Sequence, residues 1–270
     1  MVWQFRNTGC RTGAFNMRYD EQLASSLAAA DRPSVVRIYG WSPPALSLGW
    51  HQNIEEIDLR KCSEAGIDIV RRPTGGRAIL HSEEVTYSVV TVVSQKSVHS
   101  VYKRISDALV NGLRSIGAEV ALEKSQPHFP SLYRSSSAMA CFASAARYEI
   151  HISGRKLVGS AQRRYARPDC QEVVLQHGSI LLGPDHLRIV DLLNDLDDLQ
   201  RRKLRTELDE KTIDLTTALK RNVGYDEVAV ALKRGFEKEW NVEFSTIETQ
   251  ESDEDFRVEH QTAGEGHEDK

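Results

Sequence analysis

The pattern that most constrains the fold of this sequence is a run of apolar residues at helical spacing over positions 98–116. Apolar or small side chains recur there every three or four positions, and the run ends at Gly117. The flanking segments differ, because positions 85–93 are rich in Val, Thr and Tyr and positions 147–152 alternate between apolar and polar residues. The sequence therefore predicts an amphipathic helix between strands of a sheet.

The rest of the pattern mixes helices and hairpins without a strict strand–helix–strand alternation. Further helices are expected at 16–30, with Asn16 as the cap, at 185–196 and at 225–240. Strands are expected at 35–39, 45–48, 67–72, 78–80 and 173–182, and a hairpin at 147–152 and 156–163. This mixture predicts an α+β fold with a central sheet.

Composition and charge narrow the function classes. The 35 Lys and Arg residues are outnumbered by 39 Asp and Glu residues, so no nucleic-acid partner is expected. The sequence shows neither a secretory signal nor a membrane-spanning stretch, which predicts a cytoplasmic protein without a membrane partner. The four cysteines, Cys10, Cys62, Cys141 and Cys170, stand far apart without a CxxC motif, so neither disulfides nor a metal site is expected.

The chain is expected to form one domain followed by a tail. Residues 1–248 carry every strand and helix pattern, and this length is enough to bury one large core. From 249 to 270 the sequence is acidic and nearly free of apolar residues, which is typical of a disordered tail. A monomer is expected.

The segment RRPTGGR at positions 71–77 is the most unusual in the chain. Its paired glycines allow a backbone to approach a ligand closely, and its arginines suit phosphate or carboxylate oxygens. An anion-handling loop is one interpretation, and a tight turn with a solvated basic rim is the other. The segment is not a Walker loop, because no Gly-Lys-Ser/Thr follows.

Cys141 is a candidate nucleophile, although the residues alone favour a packed core thiol. A free thiol is only a few per cent ionised at neutral pH, so a nucleophile needs a neighbouring cation or base. Lys156 can supply the cation, and His177 is a rival base. Gly159, Ser160 and Ala161 form a run of small residues after Lys156, which favours the close approach of another group to the backbone.

His81, at the end of the strand after the glycine loop, is interpreted mainly as a structural hydrogen-bonding residue. A catalytic role in acid–base chemistry ranks below it.

Six ordered segments resemble the biotin/lipoyl protein ligase superfamily, and within it the octanoyltransferases related to lipoate-protein ligases. The resemblance covers about residues 3–244. It rests on Asn16-Met17 with Asp20-Glu21, PPALSLG at 43–49, RRPTGGRAILH at 71–81, TYSV at 86–89, GRKLVGSAQ at 154–162 and QHGSILL at 176–182.

The resemblance implies one catalytic domain on a central mixed, mostly antiparallel sheet flanked by helices. It implies that Cys141 matches the acyl-accepting cysteine and that Lys156 matches the invariant lysine of the family's site. The substrate-binding residues it implies are Arg71, Arg72, Thr74, Gly75, Gly76, Arg77, His81, Gly159, Ser160, Ala161, Gln162, His177, Gly178 and Ser179.

The implied reaction moves an octanoyl group from octanoyl-acyl carrier protein through a Cys141 thioester to a lysine of a lipoyl domain, such as that of glycine cleavage H protein. No cofactor is expected for this route. The alternative is an ATP-dependent lipoate-protein ligase, which would use ATP and Mg²⁺ to form an acyl-adenylate. A binding module without activity is a weaker alternative, because both Cys141 and Lys156 are retained. A plain cysteine hydrolase is weaker too, because Cys141 and His177 are its only support.

Three departures from the family pattern are visible. Relatives usually carry Asp where this chain has Ser82, so the role of that carboxylate either passes to Glu83 or Glu84 or is missing here. Residues 165–169 form an insertion after the hairpin. Beyond Phe244 an acidic tail stands where the family usually has a last helix.

Overall fold

The computed structural model of the chain describes residues 3–94, 97–122 and 149–246. The predictions for Cys141 and for the tail at 249–270 lie outside these residues. None of the helices in the described ranges combines the length and the apolar character that a membrane crossing requires.

Eight strands of the described chain form one mixed sheet, in the order β11-β1-β2-β6-β10-β9-β8-β7. Its members are β1 (Trp3–Arg11), β2 (Ser34–Trp41), β6 (Glu84–Val93), β7 (Ala121–Leu122), β8 (Ile150–Ile152), β9 (Arg155–Ala166), β10 (Glu172–Leu181) and β11 (Phe244–Thr246). The pairs β11–β1 and β1–β2 are parallel, and the remaining pairs are antiparallel. The predicted mixed, mostly antiparallel sheet is confirmed.

Helices cover both faces of this sheet. They are α1 (Gly13–Ala29), α2 (Leu59–Glu64), α3 (Val98–Ser115), α4 (Asp198–Lys211), α5 (Leu215–Leu219) and α6 (Tyr225–Trp240), with short 3₁₀ segments at Ile54–Glu56 and Pro184–Leu192. On one face, α1 buries Ala24 and Leu27 against Val90 of β6. The neighbouring Val89 points to the opposite face, because side chains alternate along a strand, and joins the main core with α3 and α6.

The helices α3 and α6 approach each other through two glycines. A Cβ atom on Gly112 would lie 2.7 Å from the carbonyl oxygen of Ala231, and one on Gly235 would lie 2.4 Å from that of Ala108. Real side chains do not tolerate such distances. The helical pattern at 98–116 therefore marks the helix and also contains the small residue that sets its contact with α6.

A second sheet of three strands carries the glycine loop. Its order is β4 (Asp68–Arg71), β3 (Ala45–Leu48), β5 (Ile79–His81), with β3–β4 parallel and β3–β5 antiparallel. The loop at 72–78 joins β4 to β5. A Cβ atom on Gly49, directly after β3, would lie 1.9 Å from the carbonyl oxygen of Gly76, so the end of β3 and the loop are packed backbone against backbone.

Several predictions about single elements were wrong. Asn16 is not the cap of α1, because the side chain of Thr12 accepts a hydrogen bond from the backbone N–H of Phe15 and the helix begins at Gly13. The segment predicted as a helix at 185–196 is a 3₁₀ segment, which begins with a proline at 184. The strands β1, β7 and β11 and the helices α2, α4 and α5 were missed.

Candidate active site

A narrow cleft lies where α1 and the small sheet meet β9 and β10, and its cavity volume is about 20 Å³. It brings together eight of the predicted site residues: Arg72, His81, Gly159, Ser160, Ala161, His177, Gly178 and Ser179. Six lining residues were not predicted as site residues: Met17, Tyr39, Trp41, Ser47, Ile79 and Thr86. Met17, Ser47, Ile79 and Thr86 fall inside the recognised motifs, which was the signal that could have indicated them.

His177 on β10 is bonded at both ring nitrogens. Its Nδ1 lies 3.3 Å from Asp20 Oδ2 and its Nε2 lies 2.7 Å from Thr74 Oγ1. A proton on Nδ1, facing the carboxylate, leaves Nε2 to accept the hydroxyl proton of Thr74. Burial lowers the pKa of His177, although the neighbouring Asp20 acts in the opposite direction. The ring is therefore neutral at pH 7 and ties the glycine loop to the sheet and to α1.

Asp20 lies at the centre of a fully buried polar cluster. It accepts hydrogen bonds from Arg37 Nη1 at 2.8 Å, Ser88 Oγ at 2.8 Å and Tyr39 Oη at 3.0 Å. Burial acts to raise the pKa of Asp20, but the charge of Arg37 and the hydrogen bond with His177 outweigh it, so the pKa lies below its usual value. Burial and the Asp20 carboxylate raise the pKa of Tyr39, so its hydroxyl keeps its proton.

His81 repeats this arrangement on β5. Its Nδ1 lies 2.8 Å from Glu84 Oε1, its Nε2 lies 2.7 Å from Ser47 Oγ, and its ring stacks on Trp41 with 3.9 Å between the centroids. Glu84 therefore supplies a carboxylate beside this histidine. Ser82 donates a hydrogen bond of 2.8 Å to Asp185.

The two arginines before the glycine loop donate to backbone carbonyls. Arg72 is buried and bonds the carbonyl oxygens of Ser47 at 3.0 Å, Gly75 at 2.9 Å and Arg77 at 2.7 Å. Arg71 Nη1 donates to the carbonyl oxygens of Gly49, Trp50 and Gln52 at 2.7, 3.0 and 2.8 Å. These guanidinium groups shape the loop. Whether they also handle an anion stays a prediction.

The small residues of β9 and β10 let the two strands and Tyr87 pack closely beside the cleft. A Cβ atom on Gly178 would lie 2.5 Å from the carbonyl oxygen of Gly159 and 2.6 Å from Ser160 Oγ. Tyr87 Oη donates to Ser160 Oγ at 2.7 Å, and burial raises the pKa of Tyr87 to about 12. Gln162 lies next to this group and donates to Gln176 at 3.0 Å.

Lys156 lies outside the lining of this cleft and forms a buried ion pair. Its Nζ is 2.8 Å from Glu149 Oε1, and the two side chains are 3% and 4% exposed. Glu149 was not predicted. The β8–β9 hairpin explains the pairing, because it turns the chain back so that His151 faces Lys156. Cys141 lies outside the described residues.

Among the described residues, no three His, Cys, Asp or Glu side chains are grouped as a metal site. The cysteines of these ranges are free: Cys62 is buried, whereas Cys10 and Cys170 are exposed. Arg71, Thr74, Gly75, Gly76, Arg77 and Gln162 do not line the cleft, although Thr74 reaches it through His177.

Comparison with known families and sequences gives consistent results. Residues 12–237 match the family model described as the lipoyl protein ligase A/B catalytic domain. The octanoyltransferase LipM of Kyrpidia tusciae is 39% identical over 240 residues, covering 87% of this chain and 86% of that protein. The octanoyltransferase LipM of Bacillus subtilis is 35% identical over 264 residues, covering 94% and 92%.

Solved structures share the fold at lower identity. A bi-partite lipoate protein ligase from Thermoplasma acidophilum, studied together with its E2 lipoyl domain, superposes with a TM-score of 0.74 at 23% identity over 92% of this chain and 88% of that one. A lipoate-protein ligase A bound with ATP gives a TM-score of 0.69 at 24% identity over 92% and 90%.

Proposed function

We infer the mechanism and partners of this chain from one premise: it belongs to the lipoyl protein ligase A/B catalytic domain family and is an octanoyltransferase of lipoate biosynthesis. The resemblance read from the sequence is thereby confirmed. We further propose a thioester intermediate, a donor and an acceptor protein, and a role for each site residue.

The observation that carries the proposal is the narrow cleft whose lining includes the apolar residues Met17, Ile79 and Trp41 and the small residues Gly159, Ser160 and Ala161. An octanoyl chain presents about seven methylene or methyl carbons, whose burial at ~0.8 kcal/mol each supplies roughly 5 kcal/mol. The cleft in this structure holds only about 20 Å³, so it has to widen to take up the chain. Its apolar lining then favours a hydrocarbon chain over a polar one.

In the first step, the Cys141 thiolate attacks the carbonyl carbon of the octanoyl thioester on acyl carrier protein. The new C–S bond forms, the old one breaks, and the carrier leaves as a thiolate that takes up a proton. The Lys156 ammonium favours the thiolate form of Cys141 and the developing oxyanion. Glu149 holds that ammonium in place at 2.8 Å.

In the second step, the neutral amine of the target lysine attacks the acyl carbon, the C–N bond forms and the C–S bond to Cys141 breaks. The proton that the nitrogen loses passes to the departing Cys141 sulfur. The acceptor is a lipoyl-domain carrier protein, and glycine cleavage H protein is the one we propose. The thioester already contains the free energy needed to form the amide, so this route needs no ATP.

Intact-protein mass spectrometry tests the proposal. After incubation with octanoyl-acyl carrier protein and no ATP, we expect one covalent octanoyl adduct that hydroxylamine removes. A Cys141→Ser protein that still transfers at the wild-type rate would refute the nucleophile. Lipoylation that requires ATP and free lipoate would show a ligase instead.

A further inference from the structure

Trp50 is a large aromatic side chain left at the protein surface, with 45% of its area exposed. The guanidinium carbon of Arg163 lies 4.8 Å from the centre of its ring and 4.9 Å from that of Tyr165. We refer to these three residues as the Trp50 surface. Trp, Tyr and Arg are the residue types that contribute most to binding at protein interfaces.

The Trp50 surface is held rigidly by the glycine loop. The backbone N–H of Trp50 donates to the carbonyl oxygen of Thr74 at 2.9 Å, and its own carbonyl accepts from Arg71 at 3.0 Å. Arg163 donates to the carbonyl oxygen of Pro73 at 3.1 Å. A partner that binds here meets a surface that is already ordered, which reduces the entropy lost on binding.

The Trp50 surface lies at the rim of the octanoyl cleft. Thr74, which accepts from Trp50, is bonded to His177 in the cleft wall at 2.7 Å. Arg163 follows the lining residue Ala161 by two positions on β9, so both side chains lie on the same face of that strand. The aromatic anchor and the cleft are therefore connected by one loop and one strand.

The acceptor protein is the partner that must come closest to this rim. A lysine side chain extends only about 6 Å from its Cα atom, so the backbone that carries the target lysine has to lie against the mouth of the cleft. Leu199 and Val230, which are also exposed, lie on α4 and α6, and neither helix lines the cleft.

We propose that the Trp50 surface is the docking site for the folded acceptor carrier protein. The partner it fits presents its lysine on an exposed turn, with an apolar side chain beside it that covers the indole and a carboxylate or carbonyl oxygen that accepts from Arg163. This assignment rests on the proposed octanoyl transfer to a lipoyl-domain carrier.

The test separates docking from chemistry. Octanoyl-enzyme is isolated for the wild type and for Trp50→Ala, and each is mixed with increasing concentrations of unmodified glycine cleavage H protein or of Nα-acetyl-lysine. For Trp50→Ala we expect the half-saturating concentration of H protein to rise by about 10- to 30-fold. The rate with Nα-acetyl-lysine and the rate of enzyme acylation should stay within about twofold of the wild type.

Two further variants sharpen the result. Leu199→Ala, which truncates a residue that is 73% exposed on α4, is the matched control and should behave as the wild type in every arm. Arg163→Lys keeps the charge but loses the planar stacking group, and we expect a smaller rise in the half-saturating concentration.

Three outcomes overturn the docking site: an unchanged dependence on H protein in Trp50→Ala, an equal loss with Nα-acetyl-lysine, or a loss confined to acylation by the donor carrier. Calorimetric titration of the unacylated enzyme with H protein gives a readout without chemistry. If the wild type forms no octanoyl-enzyme, the proposed function fails, whereas weaker H-protein binding by Trp50→Ala still supports the docking site.

Discussion

His177 and His81 face the same cleft with the same bonding pattern, but the carboxylates behind their rings differ. Both rings place Nδ1 against a buried carboxylate and Nε2 against a hydroxyl group. Asp20, behind His177, also accepts a hydrogen bond from the Arg37 guanidinium. In the described part of the chain, Glu84 Oε1 accepts from hydroxyl groups and lies beside His81, and Glu84 Oε2 accepts no hydrogen bond.

Equal contacts of the two histidine rings therefore do not imply equal roles for the two residues. A carboxylate neutralised by a guanidinium holds its histidine as part of the scaffold, because little charge remains to respond to a substrate. Among the described residues, no such cation is a hydrogen-bond partner of the pair His81–Glu84, so charge or dipoles brought into the cleft act on it more strongly.

The largest change in stability is expected when the buried ion pair of Asp20 and Arg37 is broken. Arg37→Met leaves Asp20 buried without its cation, and we expect a loss of about 3–5 kcal/mol in the free energy of unfolding. Urea unfolding measures this loss. In the double variant Asp20→Asn/Arg37→Met, most of it should return. If the single variant were as stable as the wild type, the scaffold role of Asp20 would be wrong.

The next largest effect is expected at Gly178, which sets the strand contact beside His177. A Cβ atom there would lie 2.5 Å from the carbonyl oxygen of Gly159, so Gly178→Ala should cost about 1–3 kcal/mol in the free energy of unfolding. Gly224→Ala is the control, because nothing lies within 4 Å of its added Cβ atom. Equal stabilities of the two variants would contradict the close contact.

Lowering the pH is expected to cause a moderate loss in the free energy of unfolding. The pKa of His177 is lowered in the folded chain by burial, so the unfolded chain takes up a proton near pH 6.5 that the folded chain does not. Stability should therefore fall as the pH is lowered through that value, by up to about 1.4 kcal/mol per pH unit for one such group. His177→Gln should flatten this slope, measured by urea unfolding between pH 7.5 and 5.5.

Burial also lowers the pKa of His186, so part of the slope should remain in His177→Gln and disappear only when His186→Gln is added. A slope that is identical in the wild type and in His177→Gln would show that folding does not lower the pKa of His177.

The smallest effect is expected from Glu84→Gln. The amide keeps an oxygen that can accept from Thr86 and Ser179. It removes a negative charge to which no guanidinium of the described residues is hydrogen-bonded, so the free energy of unfolding should change by less than about 1 kcal/mol. Asp20→Asn, which leaves Arg37 unpaired, is the matched variant and should cost more. If both cost the same, the difference between the two carboxylates has no energetic meaning.

The sequence predicted which segments form the site, but it did not predict which side chains contact each other within them. The motif QHGSILL predicted β10 and the residues that line the cleft from it. The pattern RRPTGGR indicated a loop with cations, but spacing alone cannot show whether a guanidinium faces a ligand or the carbonyls of its own loop. In the structure Arg72 binds the carbonyl oxygens of Ser47, Gly75 and Arg77.

Some features could not be predicted because they depend on how the chain folds back on itself or because their apolar pattern is sparse. Glu149 meets Lys156 only because a hairpin turns the chain back. The strand β1 has only two buried apolar residues, Trp3 and Phe5, and its parallel partner β11 lies at the other end of the described chain. The helix α4 buries only Leu204 and Leu208, which is too sparse a stripe to identify a helix by periodicity.

The Asp20 carboxylate joins four elements, because it is bonded to Arg37 and Tyr39 on β2, to Ser88 on β6 and to His177 on β10 while it belongs to α1. None of these elements can separate from the others without exposing an unsatisfied charge, so their backbone amides should exchange with deuterium as one cooperative unit. The wall of the proposed acyl site that these elements form should therefore stay rigid while the protein turns over.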